Sequence, residues 1–130
     1  MLAVVRFITA KLQIKPAHIV MVGHSYGAAV ALHAGAIAPT EVRGIVVASY
    51  LPRGLTPIAH GRLPPIVAIH GVNDGVAPLQ AVERELKNVA GEMGGWDGRV
   101  TAVKNEGHNF QQPSSWARVY LTAVGLTARR

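Results

Sequence analysis

Three stretches of the chain are apolar with no polar alternation: "HIVMVG" at 18–23, "VRGIVVASY" at 42–50 and "PIVAIHG" at 65–71. A strand that is apolar at successive positions is buried on both faces, as in a parallel sheet covered by helices. A fourth strand is predicted at "RVTAVKN", 99–105. Helical spacing separates them. Leu2, Val5, Ile8 and Leu12 mark an amphipathic helix that ends before Pro16, and the alanine-rich "YGAAVALHAGAIA" after Ser25 predicts a second that stops before Pro39. Leu79, Val82, Leu86 and Val89 predict a third from Pro78 to about Gly91, with Glu83, Arg84, Glu85 and Lys87 on its other side. "GEMGGWDG" then reads as a loop, and "PSSWARVYLTAVGLTA" as a closing helix. Ser114 or Ser115 would cap it, with Trp116, Val119, Tyr120 and Ala123 facing inward. The Pro/Gly-punctuated "LPRGLTPIAHGRLPP" at 51–65 predicts a long loop. Strand alternating with helix makes the fold class α/β, a parallel sheet of about four strands with helices on both faces.

The chain has 130 residues, enough for one domain over 1–130, and its 49% hydrophobic and 15% charged residues suit a packed core. Its net charge of +6 raises the question of a polyanionic partner. The basic residues are scattered, only Arg129 and Arg130 being adjacent, and they form no stripe interleaved with stacking aromatics, so no nucleic-acid partner is expected. With no cysteine, a disulfide framework, a thiolate nucleophile and a cysteine metal site are all excluded, and the cytoplasm is mildly favoured. Arg6 and Lys11 interrupt what would be the apolar centre of a signal peptide. No stretch reaches the roughly 18 apolar residues of a membrane span.

Ligands of parallel α/β sheets bind beyond the carboxyl ends of the strands. Here those ends are followed by Ser25, by Ser49 and Tyr50, by "HGVNDG" at 70–75 and by "EGHNF" at 106–110. One edge therefore collects a serine, an aspartate and a histidine. A serine hydroxyl is a poor nucleophile until an imidazole takes its proton, and the imidazole needs a carboxylate to set its tautomer. In "GHSYG" the serine lies where strand becomes helix. Gly23 and Gly27 would leave room for a strained turn, and the Tyr26 backbone N–H at the new helix's start could face an oxyanion.

Alternatives stand beside each role. Ser25 could be a plain helix N-cap, and Asp74 could cap the helix beginning near Pro78. Glu106 is the closer rival to Asp74 as the acid, although it would have to curl back, whereas Asp97 lies in a glycine-rich loop. His24 and His70 read as packing or hydrogen-bonding residues. His18, His33 and His60 have no partner at metal-ligand spacing, so neither metal nor cofactor is expected.

With "GHSYG" as nucleophile elbow, "HGVNDGVAP" as acid loop and "EGHNF" as histidine loop, the chain resembles the α/β-hydrolase family over essentially its whole length. The acid loop is similar to the His-Gly-x-x-Asp-x-x-Val/Ala-Pro pattern of bacterial esterases, lysophospholipases and dienelactone-hydrolase-like enzymes. The resemblance implies Ser25 as nucleophile, His108 as general base and Asp74 as orienting acid, acting on a small ester or thioester through an acyl-enzyme. It also implies a longer domain, with strands before the first one seen here and a loop that supplies a second oxyanion donor. On that expectation "HIVMVG" is an open edge strand, to be paired with a second copy in a homodimer or covered by the first helix. A catalytically weak or inactive remnant that binds or oligomerises through this edge is the alternative reading, and a lyase or transferase using the same serine is a third. Leu51, Leu55, Ile58 and Leu63 are the apolar candidates for the substrate pocket.

Overall fold

A computed structural model describes residues 1–52, 63–93 and 99–128. Its elements run α1 (Leu2–Leu12), β1 (Val20–His24), α2 (Tyr26–Ile37), β2 (Gly44–Ala48), β3 (Ile66–Gly71), α3 (Leu79–Met93), β4 (Val100–Val103) and α4 (Pro113–Ala128). The four strands form one parallel sheet in the order β1-β2-β3-β4, with Val22 beside Val46, Val46 beside Val67, and Ile69 beside Thr101. Among the described residues β1 pairs only with β2, so it stands at an edge as expected.

Alternation along the strands sorts two apolar layers. Met21, Ile45, Val47, Ile66 and Ala68 pack with Val5 of α1, Ala28, Ala31 and Leu32 of α2, and Val82, Leu86 and Val89 of α3. Val46, Ala48 and Ile69 point the other way, toward Phe110 and toward Val119 and Leu126 of α4. Right-handed crossovers in a sheet that adds strands in sequence put the crossover helices on one face, which is where α2 and α3 lie. Both sheet faces are thus covered, which accounts for the unbroken apolar strands in the sequence.

Several expectations need correction. Tyr120 is 60% exposed. Val119 and Leu126 fill the inner stripe, and the next position after Val119 turns about 100° away around the helix. Leu12 is also exposed, leaving Val5 as the buried anchor of α1. Helix α3 runs on to Met93, so Gly91 belongs to helix rather than loop. Leu63 is buried in the core beside α2 and α3, while Leu55, Ile58 and most of the 51–65 loop lie outside the described residues. Neither Ser114 nor Ser115 caps α4 in the predicted way. The Glu106 carboxylate accepts the N–H groups of Gln111 and Gln112 at 2.8 and 2.9 Å, and Ser115 donates its hydroxyl to the same carboxylate at 2.5 Å.

Glu106 is fully buried, and the Ser115 hydroxyl and the two amides hold its carboxyl below the usual 4.5, outweighing burial. A depressed carboxyl stabilises the fold above its unfolded value, and this contribution is lost as pH falls through the folded value. Glu106→Gln is therefore expected to lower the urea midpoint at neutral pH, with the gap to the parent narrowing below about pH 4.5, the usual glutamate value. A gap unchanged down to pH 3 would show that the charge contributes nothing.

Candidate active site

The turn from β1 into α2 is built around Ser25, whose backbone sits at φ 51°, ψ −122°. A non-glycine residue pays for a positive φ with strain, of order 1–3 kcal/mol, that the surroundings must hold in place. Two constraints hold it here. The Ser25 N–H donates to Ala48 O at 2.9 Å, tying the turn to β2, and the Ser25 carbonyl accepts from Ala28 N–H at 3.0 Å as α2 begins. Gly23 permits the close approach, because a Cβ there would fall under 3.0 Å from backbone atoms of Gly27 and Ala28. The same reasoning does not extend to Gly27, where a Cβ would meet nothing within 4 Å. Its expected steric role is corrected accordingly.

Ser25 makes no side-chain cap bond to α2. Its Oγ instead lies 2.8 Å from His108 Nε2. Nδ1 of the same ring lies 3.0 Å from Asp74 Oδ2. An ionised carboxylate only accepts, so the proton of neutral His108 resides on Nδ1, leaving Nε2 to accept from the serine hydroxyl. The three candidates from three separate strand ends are thus joined in one hydrogen-bonded line. Glu106, the rival acid, is occupied at the start of α4.

Asp74 is 4% exposed and fully engaged. Oδ1 accepts the N–H groups of Val76 and Ala77 at 2.9 and 2.8 Å, closing the turn ahead of α3. Burial alone would raise its pKa, but the Ala77 N–H, His108 and the Val76 N–H together hold it below the ordinary 3.8. The acid therefore stays ionised at neutral pH. His70, also buried, donates Nε2–H to Ala77 O at 2.6 Å and lies 3.3 Å from Asp74 Oδ2. It fastens the far end of the same turn. Gly71 lets the acid and histidine loops meet, since a Cβ would fall under 3.0 Å from the carbonyls of Glu106 and Gly107, and Asn73 N–H donates to Glu106 O at 2.8 Å.

A cleft of about 300 Å³ opens over this line, bounded by Ser25, Tyr26, Ser49, Tyr50, Leu51, Val76, Ala77 and His108. Ser49, immediately after β2, carries no role that its sequence context predicts. It has φ 50°, is buried, and its Oγ has no hydrogen-bond partner among the described residues. Tyr26 and Tyr50 also border an apolar groove of about 610 Å³ between α1 and α2, lined further by Leu2, Val30 and Ile37. As the first residue of α2, Tyr26 has a backbone N–H with no acceptor inside the helix.

Strands that carry a serine, an aspartate and a histidine to one sheet edge in that chain order define an α/β-hydrolase, and solved structures of this fold match the chain. Esterase PE8 shares 25% identity at a TM-score of 0.74, with 92% of this chain and 56% of that one covered. A variant of Arabidopsis thaliana SOBER1 gives 19% and 0.75, covering 98% of this chain and 61% of that one, and the Bacillus cereus carboxylesterase 18% and 0.66, covering 94% and 56%. This chain belongs to the phospholipase/carboxylesterase family, whose sequence profile matches residues 3–115. Among curated protein sequences none matches it. It spans 56% and 61% of the length of the first two of these structures. Among the described residues no helix is long and apolar enough to cross a membrane.

Proposed function

We propose that the chain carries the catalytic edge of a serine esterase, hydrolysing a carboxylic ester or thioester through an acyl-enzyme. The observation that carries this reading is the 2.8 Å contact between Ser25 Oγ and His108 Nε2, with Asp74 behind the ring. Ser25 Oγ attacks the ester carbonyl carbon as its proton passes to His108 Nε2. The imidazolium is stabilised by Asp74, and the tetrahedral oxyanion faces the Tyr26 N–H. Collapse breaks the bond to the alcohol or thiol, which takes the proton from His108. Water, deprotonated by the same nitrogen, then attacks the acyl-enzyme, and collapse breaks the bond to Ser25 Oγ, which takes the proton back from His108 as the acid leaves. The apolar groove bordered by Tyr26 and Tyr50 supports an ester with an apolar substituent.

Hydrolysis of p-nitrophenyl butyrate at neutral pH tests the reading. Release of nitrophenol above the buffer rate is expected, and it should be strongly reduced in His108→Ala. No release above buffer, or a His108→Ala rate matching the parent, contradicts it.

A further inference from the structure

His24 immediately precedes Ser25 in the chain, yet its side chain reaches the histidine loop. His24 Nε2 lies 2.8 Å from the backbone carbonyl oxygen of His108. A carbonyl only accepts, so this nitrogen bears the hydrogen. Consecutive residues of one turn therefore grip the two ends of a single residue: His24 holds the main chain of His108, and Ser25 meets its ring. The His24 ring is itself fixed, edge-on to Trp116 with centroids 5.4 Å apart and edge-on to Phe110 at 6.4 Å. Trp116 Nε1–H donates to Phe110 O at 3.1 Å, pinning the carbonyl two residues further along.

We infer that His24 is a positioning residue for the general base, holding the His108 backbone by one N–H donor so that Nε2 stays in reach of Ser25. This rests on the proposed serine-esterase reading. A loop carbonyl without this donor leaves His108 held through its ring, by Asp74 and Ser25, with no hydrogen bond from the β1 end to its main chain, and misplacement of a reacting group by about 1 Å can cost on the order of 100-fold in rate. The donor, rather than the ring's bulk, is the operative feature, which separates the inference from simple packing.

Two variants decide it. His24→Phe keeps an aromatic ring and removes the donor, while His24→Gln places an amide N–H near the Nε2 position. The readouts are kcat and KM with p-nitrophenyl butyrate, the rate of phosphonylation by a fluorophosphonate probe, and the imidazole nitrogen and proton NMR signals of His24 and His108. His24→Phe is expected to lower kcat and the phosphonylation rate roughly 10- to 100-fold with KM within about twofold, and to broaden or lose the His108 Nδ1–H signal. His24→Gln should retain that signal and stay within about threefold of the parent, a range set by one neutral hydrogen bond. Equal losses in both variants, or a His24→Phe protein matching the parent, would overturn the inference. If the parent itself is not phosphonylated, the serine-esterase reading fails. The NMR arm then still decides whether His24 holds His108, through the parent's His24 tautomer and the fate of the His108 signal in His24→Phe.

Discussion

Ser25→Ala is expected to reduce p-nitrophenyl butyrate turnover by roughly 10⁴-fold or more, to a residue set by binding and the Tyr26 amide alone. The loss is large because no other described hydroxyl occupies the reacting position: Ser49 lines the cleft, but the His108 Nε2 contact belongs to Ser25. The fold should survive. Alanine faces the same positive φ that serine already tolerates at this turn, the main-chain bonds to Ala48 and Ala28 are untouched, and the lost hydroxyl contact is worth about 1 kcal/mol in net stability. Urea unfolding measured beside turnover separates the two effects. A variant that is as stable as the parent and still turns over at more than a tenth of its rate would remove Ser25 from the mechanism.

Asp74→Asn should be nearly as severe for activity, for a different reason. The amide can still accept from Val76 and Ala77 N–H through its oxygen, which then turns its NH₂ toward His108 Nδ1. Facing a donor, the ring shifts its proton to Nε2 and presents N–H to Ser25, the wrong tautomer for a base. A loss of about 10⁴-fold in kcat is the scale of such a tautomer error in serine proteases. Stability should also fall, because the NH₂ meets the His70 Nε2–H as well, and a buried unsatisfied donor costs about 1–3 kcal/mol. That difference shrinks in acid, since the depressed Asp74 carboxyl stabilises the fold only above its lowered pKa. The checks are kcat at neutral pH and urea midpoints from pH 7 down to 3. Unchanged kcat would assign the orienting role elsewhere.

The sheet and the gathering of Ser25, Asp74 and His108 at one edge were legible in the sequence because they follow from local pattern plus one topological rule. Unbroken apolar strands imply a covered parallel sheet, and a parallel sheet places every strand-to-helix loop at the same end. The strain at Ser25 was legible too, since a strand reversing into a helix forces it. What stayed hidden depends on main-chain atoms far away in sequence. His24 is tied to the carbonyl of His108, 84 positions on, and Glu106 is held by two amides and a hydroxyl beyond the histidine loop. No side-chain spacing encodes such partners, so Glu106 read as a rival acid and Ser115 as a cap. Gly27 erred in the other direction: the motif suggested crowding on both sides of the serine, whereas only the strand-side glycine, Gly23, meets backbone. Ser49 follows its strand in the sequence, but its left-handed backbone and a hydroxyl with no partner among the described residues are consequences of tertiary placement.

The proposed mechanism requires that Ser25 be a nucleophile activated by His108. Treating the protein with a fluorophosphonate at neutral pH, followed by intact mass and peptide mapping, tests this without knowledge of the natural ester. One adduct per chain on the peptide containing Ser25, absent from Ser25→Ala and strongly slowed in His108→Ala, is the expected result. An unmodified chain, or an adduct that persists at another residue in Ser25→Ala, would contradict it.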